Sequence, residues 1–74
     1  MDAHDESLVR LIRRLDDAGE MATSYRIAQD WTEPPHELHA RLGRCVDAGW
    51  LVLKQTTSPE LGPEHYAPGP LASA

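Results

Sequence analysis

The sequence predicts a mainly α-helical domain that carries a small β-hairpin. Three observations predict it. Residues 23–46 read as two helices joined by a tight turn. Apolar residues recur at helical spacing both before that pair, in Leu8, Val9, Leu11, Ile12 and Leu15, and inside it, in Leu38, Leu42, Cys45 and Val46. A short apolar run, Trp50 to Gln55, follows a glycine stop and is answered by His65-Tyr66-Ala67 after a turn-rich loop.

The first helix starts from Asp5-Glu6-Ser7, a cap and an acidic first turn, and ends at Gly19. Arg10, Arg13 and Arg14 fall mainly on its other side, and read as a solvated face. Glu6 with Arg10 and Arg13 with Asp17 are i,i+4 pairs, worth roughly 0.2–0.5 kcal/mol each. Glu20-Met21-Ala22 reads as a brief strand. Thr23 or Ser24 caps a short second helix, whose inner face is marked by Ile27 and Ala28 and which Trp31 closes. Thr32-Glu33-Pro34-Pro35 turns the chain, and proline suits the first turn of the third helix, which runs to Ala48 and stops at Gly49. A small inward residue at Ala28, a break at Thr32 and an apolar residue at Leu38 form a helix-turn-helix pattern. Gly43 inside the third helix costs about 1 kcal/mol relative to alanine. Residues 56–63 form a loop rich in turn residues, and 68–74 read as a loose tail.

Size and charge narrow the function. Seventy-four residues allow one domain with a small core. A deep catalytic pocket is not expected, and no phosphate loop, nucleophile elbow or paired-acid arrangement occurs, so the chain is read as no enzyme. The single Cys45 excludes an internal disulfide and fits a reducing compartment. No run spans a membrane, and Met1 leads into Asp2 and Asp5 rather than a basic signal segment, which points to the cytoplasm. The net charge is −5. It is uneven: residues 24–55 balance Arg26, Arg41, Arg44 and Lys54 against Asp30, Glu33, Glu37 and Asp47, while the acidic excess lies in 1–20 and 56–74. A neutral centre with acidic flanks permits DNA binding without favouring it. Six Arg to one Lys suggests a GC-rich genome.

Thr23 to Ala28, Leu38 to Leu42, and Asp47-Ala48-Gly49-Trp50-Leu51-Val52 carry a resemblance. Helix, strand, helix, turn, helix and hairpin is the order of the winged helix-turn-helix fold, and the sequence resembles small prokaryotic regulators of the MarR-like and ArsR-like kind. The resemblance covers residues 7–67, between an N-terminal segment 1–6 and the tail 68–74. It implies three helices with a two- or three-stranded antiparallel wing, and a DNA-binding transcriptional regulator or accessory factor. Helix 34–48 would enter the major groove and hairpin 50–67 would serve as the wing. Base edges would be met by Pro35, His36, His39 and Ala40. Arg44 would sit over phosphates. Ser24, Tyr25 and Thr32 would hydrogen-bond the backbone at helix ends. Lys54 would be the wing's one cation. The chain departs from the family pattern at Glu33, where members carry an apolar residue, and at Pro34, where they carry a Ser or Thr cap. Double-stranded DNA is the expected partner, with a homodimer or a protein partner supplying the contacts this thin set lacks.

The same fold also serves protein contact. His36, Ala40 and Gly43 form a flat, nearly uncharged helix face, and Trp31 and Trp50 would be anchors if exposed. No metal or cofactor is expected. His36 and His39 are i,i+3 but lack a third ligand. Cys45, at an inward helical position, reads as an inert buried thiol.

Overall fold

The structure, a computed structural model, describes residues 2–54 and 64–71. Its elements run α1 (Ala3–Asp17), β1 (Ala22–Thr23), α2 (Ser24–Gln29), α3 (Pro35–Ala48), β2 (Leu51–Lys54) and β3 (His65–Pro68). The architecture is thus mainly helical, with a three-stranded antiparallel sheet. The expected loop at 56–63 lies outside the described residues.

Helix α1 begins earlier than its sequence suggests. Asp2 is the N-cap, its carboxylate accepting from the Asp5 amide at 2.8 Å, so residues 3–6 lie within α1. Asp5 and Glu6 form the acidic first turn, as expected. The stripe of Leu8, Val9, Leu11, Ile12 and Leu15 is buried. Glu6 and Arg10 do pair, at 3.4 Å, but Arg13 forms no ion pair with Asp17.

Thr23 caps α2, its hydroxyl accepting from the Arg26 amide at 3.1 Å. The inner residue of this one-and-a-half-turn helix is Ile27 alone, fully buried. Ala28 is exposed, contrary to the helix-turn-helix pattern read above. The two residues sit about 100° apart around the axis, and the neighbouring elements close over only one of them.

Proline at the first position starts α3, and the Pro34 carbonyl accepts from the amides of Glu37 and Leu38 at 3.1 and 3.0 Å. Leu38, Leu42 and Cys45 are buried along one stripe. Gly19 and Gly49 end α1 and α3 at φ 75° and 89°. At each, the next amide reaches five residues back, Glu20 to Leu15 at 2.9 Å and Trp50 to Cys45 at 2.9 Å, which satisfies the last helical carbonyls.

The sheet order is β1-β3-β2. Ala22 faces Tyr66 on one side of β3, and Leu53 faces it on the other. The strand expected at 20–22 is two residues, Ala22–Thr23, and it pairs with β3 as the third strand of the sheet. Helices and sheet share one core, in which Leu8, Ile12, Ile27, Leu38, Leu42 and Leu51 are the largest fully buried side chains. Each contributes roughly 1.5–3 kcal/mol.

Residues 68–71 do not form the expected loose tail. The Gly69 amide donates to the Trp50 carbonyl at 2.8 Å, and the Leu71 amide to that of Gly49 at 3.2 Å. A side chain at Gly69 would put its Cβ 2.5 Å from the Gly49 carbonyl oxygen, so only glycine allows this approach.

Candidate nucleic-acid interface

With Leu38, Leu42 and Cys45 turned inward, α3 presents Pro35, His36, His39, Ala40 and Gly43 to solvent. Nothing stands within 4 Å of a Cβ built on Gly43, so this surface is open. At the start of α2, Tyr25 is 76% exposed. Ser24 and His39 line one shallow recess with Glu64 and Tyr66, of about 420 Å³. The structure thus brings Ser24 and His39 together, and leaves Tyr25 and Thr32 in solvent.

The two expected phosphate contacts are placed differently. Lys54 is exposed at the end of β2, opposite His65 in the ladder. Arg44 leans toward α1, its Nη2 3.6 Å from Asp5 Oδ1, with its side chain 59% exposed. It lines a second recess with Asp5, Cys45, Asp47, Ala48 and Trp50. His36 lies 4.0 Å from the Glu37 carboxylate. The face therefore carries few cations, and acids border it.

The strongest polar constellation is one the sequence pattern did not reveal. Arg41, 11% exposed, donates through Nε and Nη2 to both oxygens of Glu33 at 2.8 and 3.0 Å, and through Nη1 to Asp5 at 2.6 Å and Asp2 at 3.2 Å. Glu33 also accepts from the Trp31 indole at 3.0 Å. The Arg41 guanidinium, aided by that indole, holds the Glu33 carboxyl at about 2, well below its usual 4.5. The Asp5 amide, with Arg41, lowers the Asp2 carboxyl too. Glu33 and Asp5 in turn hold the Arg41 guanidinium above its usual value, the hydrogen bonds to Glu33 most of all. One arginine thus ties the start of α1, the turn before α3 and α3 itself. The only hint in the sequence was Glu33, where the family pattern expects an apolar residue.

Three carboxylates are in this way turned to the α1 side of α3. Arg26 similarly binds Asp30 at 2.7 Å and approaches Glu20 at 3.7 Å. Trp31 and Trp50 are half-buried and packed against the core, so neither is the exposed anchor a docking patch would need. Burial raises the Cys45 thiol above its usual value, which keeps it protonated and unreactive.

No protein-family model matches the chain, and no curated protein and no solved structure is detectably similar to it. Function has to be read from the geometry. Among the described residues, no group of three or more His, Cys, Asp or Glu is placed to hold a metal ion, and no helix is long and apolar enough to cross a membrane.

Proposed function

We propose that the protein is a winged helix-turn-helix domain that binds double-stranded DNA, as a transcriptional regulator or accessory factor. One observation carries the reading. The outward face of α3, with His36, His39, Ala40 and Gly43, is exposed and built of side chains small or flat enough for a rod to enter a major groove. The element order and the sheet order β1-β3-β2, with β2 and β3 as the wing, are compatible with that fold. Turning Asp2, Asp5 and Glu33 onto Arg41 removes three acids from the approach of a phosphate backbone. His36, His39 and Ala40 would meet base edges, Ser24 and Tyr25 the backbone, and Arg44 and Lys54 phosphates.

The second reading, a winged-helix module that binds protein instead, draws on Arg44. Its guanidinium is shared with Asp5, and Glu37 and Asp47 sit on the same helix, so cationic contact with phosphate is weak.

Fluorescence anisotropy on a labelled random duplex at low salt separates the two. With Arg44 and Lys54 as the phosphate contacts, log K should fall against log salt with a slope of about −2 per protomer. Absence of any salt-weakened binding would sink the DNA reading and leave the protein one.

A further inference from the structure

Six arginines are present in the chain, against twelve acids. Four of them are engaged: Arg41 by Glu33, Asp5 and Asp2, Arg26 by Asp30 and Glu20, Arg44 by Asp5, and Arg10, loosely, by Glu6. Arg13 and Arg14 have no carboxylate within ion-pair distance among the described residues. In a chain this acidic, two adjacent unpaired guanidinium groups stand out. Together with Arg10 they lie on the solvent side of α1, opposite the buried stripe, and line a shallow groove of about 510 Å³ with Ser7 and Asp17.

We propose that this face of α1 docks an acidic segment of another protein, separately from the α3 surface. Arg10, Arg13 and Arg14 follow one another at i, i+3 and i+4, and carboxylates at the same spacing on a partner helix meet them in register. A second copy of the chain is the competing occupant, because an antiparallel α1 pair can set Arg13 against Asp17 and Arg14 against Asp16. Dimerisation of the free chain that R13E/R14E abolishes, read by sedimentation, would overturn the proposal. Nucleic acid fits less well than protein. Glu6, Asp16 and Asp17 flank the arginines on the same helix, and a continuous phosphate chain would have to run over them. A peptide can step its carboxylates between these acids.

The test uses the whole chain, labelled for NMR, and three probes at low salt: a short helical Ala-based peptide carrying Glu at every third or fourth position, its Gln counterpart, and a random duplex. The Glu peptide should shift the amides of Ser7, Arg10, Arg13, Arg14 and Asp17, and the Gln peptide should not. R13E/R14E, with R13A/R14A as the milder variant, should keep the wild-type circular dichroism spectrum and bind the Glu peptide at least about tenfold more weakly, or about 1.4 kcal/mol. No binding, shifts spread over the surface or centred on α3, unchanged binding by both variants, or stronger occupation of the same α1 amides by the duplex would each overturn the proposal. Because the duplex reading of α3 is scored on other amides, its failure leaves this outcome independent.

Discussion

Arg41 grips Glu33 with two parallel hydrogen bonds, 2.8 and 3.0 Å long, across the turn that separates α2 from α3. The guanidinium fork matches the carboxylate plane, and its remaining nitrogen reaches Asp5 and Asp2 at the start of α1. The angle at which α3 leaves the domain is therefore fixed by a polar knot on one flank and by Leu38, Leu42 and Cys45 on the other.

Removing the knot should loosen α3. Arg41→Ala leaves Glu33 and Asp2 without their cationic partner and Asp5 with Arg44 alone, at 3.6 Å, and should lower the melting temperature by on the order of 10 °C. Arg41→Lys should fall between, since an ammonium cannot span both Glu33 oxygens. Thermal melts followed by circular dichroism rank the three proteins; equal melting temperatures would mean the contacts contribute nothing net.

Acid should act on the same place. Glu33 titrates at about 2 in the fold against 4.5 for a free glutamate, and Asp2 is lowered in the same sense. The unfolded chain binds these protons at higher pH, so the stability they supply is complete above about 4.5 and is lost as pH falls from there toward 2. Glu33→Gln should flatten that part of the melting-temperature profile, because the variant has no proton to take up there. A profile of unchanged steepness would remove Glu33 as a source.

Two glycines should respond oppositely to alanine. At Gly69 the new Cβ would stand 2.5 Å from the Gly49 carbonyl and 3.0 Å from the Leu51 nitrogen, so the backbone must move. A loss of about 1–3 kcal/mol in urea titrations is expected. Gly43 lies mid-helix in open space, and Gly43→Ala should instead gain about 0.5–1 kcal/mol.

On the DNA reading, Arg44→Ala and Lys54→Ala should each weaken binding on every duplex alike and lower the salt slope by about one. His36→Ala should change sequence preference instead. Anisotropy with a panel of duplexes reads both; an unchanged slope would remove Arg44 and Lys54 from the contact set.

Local signals were legible in the residues. The proline pair at 34 and 35 and glycines 19 and 49 mark helix ends through the conformations that those residues favour, and the structure puts helix boundaries there, choosing Pro35 as the first residue of α3. The buried stripes of α1 and α3 follow from spacing in the same way. What escaped was decided at a distance. Ala28 and Ile27 are adjacent in a six-residue helix, and which of them is covered depends on neighbours no local pattern encodes. Arg41 reads as one more surface cation until Asp2 and Asp5, 39 and 36 positions earlier, are brought to it. Pro68-Gly69-Pro70 has the composition of a tail, and only the approach of Gly69 to the backbone of Trp50 and Gly49 shows it is held. On the candidate site, the exposed face of α3 was foreseen, whereas the pull of Asp5 on Arg44 was not.

The strand that pairs with both others is the last to be synthesised. Until the residues between Lys54 and Pro68 have been added, a matter of roughly one to three seconds at ~5–20 residues per second, Ala22–Thr23 and Leu51–Lys54 have no ladder to join. The nascent chain must carry two open strand edges through that interval, and any truncation that stops translation before His65 leaves them permanently unzipped.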